Sequence, residues 1–156
     1  MKINFQNLDG KINNNRHYYV VKVFYEDTDA GQIVYHTNYL KYFERARTSL
    51  LNLLKIDQMN LKKIHDIILV VRKADIKWFK PAVLNDTLLV ETCLKYAKNS
   101  SITLQQSAYR HCDMNKTKDL LVTGIIQIVA MSSSFKVKRI NKALKNPFFH
   151  NNLQEF

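Results

Sequence analysis

The chain has 156 residues, 46% of them hydrophobic, which is enough for one globular domain with a real core. It contains no apolar run long enough to span a bilayer, and its polar, Asn-rich start from Met1 to Arg16 does not read as a signal peptide, so a cytoplasmic protein is expected. The formal net charge of +11 is spread along the chain, and its densest cluster, from Lys136 to Lys145, is too sparse for an RNA-binding tract.

From the N-terminus, residues 18–25 alternate, with Tyr19, Val21, Val23 and Tyr25 on one face and Lys22 on the other, predicting a strand with one buried side. Residues 26–37 read as a loop rich in Asp and Thr. The period then changes. Tyr39, Tyr42 with Phe43, Ala46, Leu50 and Leu53 with Leu54 recur at helical spacing, predicting an amphipathic helix over 38–55 with Thr37 or Asn38 as its cap. After a polar link, period 2 returns over 68–80, where Ala74, Ile76 and Trp78 oppose Lys73, Asp75 and Lys77 until Pro81. Asn85-Asp86 reads as a turn. In 87–96, Leu88, Val90, Leu94 and Tyr96 share a face. Asn99-Ser100 is a further turn, 101–110 a further strand and 111–119 a polar loop. Residues 120–131 are almost continuously apolar, as in a strand buried on both faces. The tail from 135 is basic, contains Pro147 and has room for one short helix. One strand, one long helix and four strands joined by short turns make an α+β fold with an antiparallel sheet.

Chemistry concentrates in Tyr25-Glu26-Asp27-Thr28-Asp29-Ala30-Gly31-Gln32-Ile33-Val34-Tyr35-His36, between a strand and a helix start. Gly31 is one of only three glycines, which points to a tight backbone there. A helix start offers unpaired N–H groups and a positive dipole end that can polarise a carbonyl. A carboxylate just before it can activate water or attack directly. Asp27 and Asp29 also suit plain turn or capping roles, and local chemistry alone favours that. The two cysteines, Cys93 and Cys112, lack a C-x-x-C spacing, and the five histidines form no H-x-H or H-x-x-x-H pair, so neither a disulfide framework nor a metal site is expected. His111 adjoins Cys112, but neighbouring strand residues face opposite ways, which argues against a Cys–His pair.

Y-E-D-T-D-A-G-x-I-V-Y-H-x-x-Y followed by F-E-R-A-R, from Tyr25 to Arg47, closely resembles the 4-hydroxybenzoyl-CoA thioesterase family, and within it the Tol–Pal-associated acyl-CoA thioesterases. The V-V-R-x-x-x-I-x-W-F-x-P-A stretch from Val70 to Ala82 fits the same pattern. The resemblance covers residues 18–135, leaving a polar N-terminal extension over 1–17 and a basic tail over 136–156. It implies a hotdog fold, an antiparallel sheet wrapped around the long central helix, and hydrolysis of acyl-CoA thioesters in lipid metabolism without cofactor or metal. Asp29 matches the family's catalytic carboxylate, as nucleophile or as general base for water. The backbone N–H of His36 lies where the family polarises the thioester carbonyl. Tyr25 and His36 match site-lining side chains, and Gly31 and Tyr35 complete the supporting set. The family pairs through its sheets into dimers or tetramers, with substrate entering at the subunit interface. Glu44 is the rival acid, because another hotdog subgroup carries its carboxylate on the central helix; an ion pair with Arg45 or Arg47 is its expected role. Arg72, Lys73, Lys77 and Lys80 are candidates to meet the phosphates of CoA, and Trp78 and Phe79 to line an acyl pocket. A different class of function, binding of acyl carrier protein or an envelope-linked partner with little hydrolysis, also suits the basic surface. Nucleic-acid binding rests on charge alone.

Overall fold

The computed structural model describes residues 8–111, 118–140 and Phe148. Cys112, His150, Lys142, Lys145 and most of the expected short C-terminal helix lie outside the described residues. The elements are β1 (Lys11–Asn13), β2 (Arg16–Lys22), α1 (Asn38–Leu53), α2 (Gln58–His65), β3 (Ile68–Trp78), β4 (Thr87–Ala97), β5 (Ser101–His111) and β6 (Lys118–Met131).

The six strands form one sheet in the order β1-β2-β4-β5-β6-β3, antiparallel throughout. The expected antiparallel sheet is therefore present, but β3 and β4 do not form a hairpin. β4 lies between β2 and β5, while β3 pairs with β6 at the far edge. The segment joining β3 to β4 is instead tied across the sheet end, where the Phe79 and Lys80 N–H groups both donate to Leu121 O.

α1 buries the predicted stripe: Tyr39, Tyr42, Phe43, Ala46 and Leu50 are all at most 2% exposed. Each large side chain so removed from water contributes on the order of 1.5–3 kcal/mol, so the stripe rather than local propensity decides where this helix lies. Its last buried members are Ser49 and Leu51 rather than Leu53 and Leu54, which are half-buried. The helix ends there because Lys55 turns left-handed (φ 59°) and the Lys55 and Ile56 N–H groups close onto Asn52 O and Leu51 O. The polar link beyond holds a second helix, α2, which the sequence reading missed. Asp57 caps it, accepting from the Met59 and Asn60 N–H groups at 2.7 and 3.2 Å.

Faces read from strict alternation fail at bulges. The β4–β5 register shifts between Leu94 and Tyr96, so Tyr96 leaves the buried face of Leu88, Val90 and Leu94 and is 47% exposed. β6 is not buried on both faces: α1 covers one, and Ile125 on the other is 39% exposed. Gly124 of β6 lies under the helix, where an added Cβ would come 2.5 Å from Ile76 Cδ1 and 3.2 Å from Phe43 Cε2. A polar tie crosses the same interface, with buried Gln106 donating to Phe43 O at 2.9 Å and Thr92 Oγ1 at 3.0 Å and accepting from Arg47 at 2.7 Å.

Gly124→Val should therefore cost about 1–3 kcal/mol by overpacking, measured by urea denaturation against a parent whose far-UV spectrum it shares. His17, fully buried, provides a second test. Its Nε2–H donates to Asp9 O at 2.7 Å, which leaves Nδ1 without a proton or a partner among the described residues. Burial lowers the pKa of this ring, against a smaller opposing pull from Asp9. An unfolded histidine takes up its proton near pH 6.5; the folded ring resists. Stability contributed by His17 is thus present above that value and is lost as pH falls below it, down to the folded pKa. The parent's thermal midpoint should drop between pH 7.5 and 5.5, and in His17→Gln that slope should flatten.

Candidate active site

The loop between β2 and α1 is organised by Asp27, not Asp29. The chain leaves the sheet after Lys22 and closes a single 3-10 turn over Tyr25–Asp27. The predicted strand over 18–25 is therefore cut short. Tyr25 departs from its expected buried face and is 81% exposed. Asp27 is buried. Its Oδ2 accepts from the Phe24 N–H at 2.9 Å, while its carbonyl accepts from the Tyr35 N–H and the Asn38 Nδ2 at 2.9 Å each. Burial, and next the charge of Asp27, pushes the Tyr42 phenol far above its ordinary value. The expected cap is modified accordingly: Asn38 spends its amide on Asp27, and Thr37 takes the cap position without a side-chain hydrogen bond. Within that first turn the Asn38 N–H donates to Tyr35 O at 2.8 Å and the Leu40 N–H to Thr37 O at 3.0 Å.

Asp29 sits on the tip of the loop and is exposed. Its N–H donates to Ile33 O at 3.0 Å, its carbonyl accepts from Gln32 N–H at 2.9 Å, and its Oδ1 accepts from Gly31 N–H at 2.8 Å. Gln32, rather than Gly31, takes the left-handed backbone (φ 60°). The glycine matters for space, since a Cβ there would stand 3.1 Å from Asp29 Oδ1. Bridges Thr28–Val34 and Ile33–Val83 fasten the loop to itself and to the β3–β4 connection.

Asp29 and His36 line one cavity of about 320 Å³, together with Tyr39 of α1 and Trp78, Phe79 and Lys80 at the end of β3. The His36 ring packs edge-on to Trp78 (6.0 Å) and tilted against Tyr35 (4.5 Å), and Trp78 Nε1 donates to His36 O at 3.3 Å. Tyr35, 46% exposed, and Tyr25 are not in the cavity wall. Glu44 is not in it either; it lies on the exposed face of α1 and accepts from Thr48 Oγ1 at 2.8 Å in place of an arginine. A larger groove of about 520 Å³ lies between Lys11, Tyr18, Val20 and Leu89, but among the described residues its wall holds no carboxylate and no histidine.

The sequence reading missed what holds the far wall. Arg110 of β5 donates to Asp86 at 3.0 Å, to Asp119 at 3.3 Å and to Pro81 O. Lys80 reaches Asp119 at 2.6 Å, and Tyr39 Oη accepts from the Ala82 N–H at 2.9 Å. The bonded partners lie up to 43 positions apart in sequence, and no local pattern announces them. Tyr39 looked like one more apolar member of the helix stripe.

Residues 23–148 match a family model described as the thioesterase-like superfamily. The chain belongs to that superfamily. It is 42% identical over 91 residues to an acyl-CoA thioesterase YbgC of Haemophilus influenzae, a match covering 58% of this chain and 67% of the relative. It is 38% identical over 86 residues to an acyl-CoA thioester hydrolase YbgC of Escherichia coli O6:H1, covering 55% and 63%. The chain thus spans about two thirds of the relatives it matches. Among solved structures, a probable thioesterase from Bartonella henselae superposes with a TM-score of 0.73 at 24% identity, covering 81% of this chain and 99% of the other. A variant of 4-hydroxybenzoyl-CoA thioesterase, solved with 4-hydroxybenzoyl-CoA, superposes at 0.74 with 16% identity, covering 81% and 91%. At these identities the structures establish the fold, which is the hotdog fold. Its antiparallel sheet and long helix are those expected from the sequence.

Arg110→Ala would leave Asp86 and Asp119 facing each other half-buried and release Pro81. It should cost about 1–2 kcal/mol in thermal or urea unfolding, discounted for partial exposure, and should raise KM more than it lowers kcat.

Proposed function

We propose that the chain is an acyl-CoA thioesterase in which Asp29 is the catalytic carboxylate. The observation that carries this reading is the cavity that Asp29 and His36 share with Tyr39, in the first turn of α1. A thioester lying there has its carbonyl oxygen at the His36 N–H and the positive end of the helix, where charge developing on that oxygen is stabilised. The free oxygen of Asp29 then attacks the carbonyl carbon, or takes a proton from a water that does. In either case the C–S bond breaks, CoA leaves as the thiol, and water supplies the oxygen and proton of the products. Gly31 N–H holds the other oxygen of Asp29 and fixes the carboxylate's direction. His36 packs tilted against Tyr35 and edge-on to Trp78 and keeps the mouth in shape. Tyr25, fully outside the cavity wall of one subunit, serves the substrate's leaving group at the rim.

The enzyme acts as a homo-oligomer, a dimer or tetramer. Support comes from β3, an eleven-residue strand on an open sheet edge with Val71 and Trp78 exposed. Because Trp78 also lines the cavity, a second copy laid along β3 would add to the wall of the site. The working unit is a hotdog domain over 18–135 with a polar extension before it and a basic tail after it. Among the described residues no helix is long and apolar enough to cross a membrane. The enzyme works in the cytoplasm on thioesters of lipid metabolism, and its net charge of +11 also suits acyl carrier protein, an acidic acyl donor, as a partner.

The test is thiol release from short, long and aromatic acyl-CoAs by the parent and by Asp29→Asn. A folded variant should lose at least about a hundredfold in kcat. Equal rates would remove Asp29 from the chemistry, and an inactive parent would favour a carrier-binding protein.

A further inference from the structure

We propose that the corner where the end of α2 meets the turn after β6 is a docking surface for an anionic lipid bilayer. Three large apolar side chains stand out there: Ile64 is 70% exposed, Phe135 73% and Val137 64%. Around them Lys62, Lys63, Lys136 and Arg139 are exposed, and none is among the ion pairs of the described residues. Among the described residues, the two acids of this region are already engaged. Asp57 caps α2, while Asp66 accepts from Ser133 N–H at 2.9 Å and lies 3.7 Å from Lys138.

The corner is one rigid piece. Besides the Asp66–Ser133 bond, Lys138 donates to His65 O at 2.7 Å, so the helix end and the turn are joined twice. Within the turn, Phe135 N–H donates to Ser132 O at 2.9 Å, Lys136 N–H to Ser132 Oγ at 3.1 Å, and Ser132 N–H to Lys136 O at 2.8 Å.

The decisive residue is Phe135. Its φ is 60°, a left-handed backbone that glycine adopts freely and a bulky residue adopts at a cost. A ring fixed in that conformation and mostly in water gains little from the fold for its strain. Such strain persists where function selects it. Separate exposed apolar tips fit a shallow protein surface poorly, since that surface would have to supply a pocket for each. A bilayer accepts them directly: apolar tips enter the acyl boundary while lysine and arginine ends stay at the phosphate level. Each cation near an anionic leaflet adds to the attraction. The face is remote in composition from the cavity of Asp29, and the proposal does not depend on the catalytic reading.

The full-length protein would be sedimented with vesicles of phosphatidylcholine alone and of phosphatidylcholine mixed with phosphatidylglycerol. Binding should require the anionic lipid and fall with salt. Phe135→Gly should weaken it about tenfold by removing the buried ring, while leaving the thermal midpoint unchanged or raised, because glycine suits the turn. Lys62→Gln and Lys63→Gln should each weaken it about fivefold. Release of thiol from a soluble short-chain acyl-CoA should be unchanged in all three, if the parent shows it. No sedimentation of the parent with anionic vesicles would overturn the proposal. So would parental binding by Phe135→Gly, a clear fall in its thermal midpoint, or a change in its oligomeric state by sedimentation velocity, which would make the corner a contact between copies.

Discussion

The loop side of the cavity depends on one buried acid. Asp27 holds the Phe24 N–H with its carboxylate and gathers the Tyr35 N–H and the Asn38 amide on its carbonyl. Those contacts join the end of a strand, the return leg of a loop and the first residue of a helix. A buried carboxylate without such donors would be costly; with them it turns a flexible connection into a fixed bend. Asp29 projects from the tip of that bend, two residues on, while His36 and the helix start are brought back to face it. The acid that organises the site is thus not the acid assigned the chemistry.

The opposite wall obeys the same logic. Trp78, Phe79 and Lys80 come from the end of an edge strand, where the backbone would otherwise be free to shift. Leu121 O, Tyr39 Oη and the Arg110 cluster pin the connection that follows. The helix is in turn seated on the sheet by its aromatic stripe, by the missing side chain of Gly124 and by Gln106, which reaches Phe43 and Arg47 of the helix with two hydrogen bonds. Loop, helix and edge strand are therefore referenced to one sheet, and a carboxylate on a loop tip can hold a defined direction.

Much of this was legible in the residues. The stripe from Tyr39 to Leu50 announced the long helix, and four alternating runs with one continuously apolar run announced five of the six strands. The segment from Tyr25 to Arg47 pointed to the family and drew attention to Asp29 and His36. What escaped was of two kinds. Local exceptions to a period were invisible: the bulge that turns Tyr96 outward, the left-handed Gln32 beside an ordinary Gly31, the 3-10 turn that pulls Tyr25 off its strand. So were pairings between distant residues. Nothing local says that β3 will pair with β6 rather than with β4, or that Arg110 will hold Pro81. α2 was missed for a further reason. Its only buried residue is Leu61, so eight residues of it carry almost no hydrophobic pattern, and an Asp57 cap does the work that burial does elsewhere.

The strand order also dictates a timetable. As the chain emerges from the ribosome, β3 appears with its run from Ile68 to Val71 before β4, β5 and, last, its neighbour β6 have been made. During that interval β3 is an apolar strand with nothing in its own chain to hold it, and long-range pairing of this kind is slow to form. Arg72, Lys73, Lys77 and Lys80 then act in a capacity separate from any ligand. Charges placed within and just beyond such a strand discourage pairing with other nascent chains. Such charges would disfavour mispairing of β3 in the interval before β6 is made.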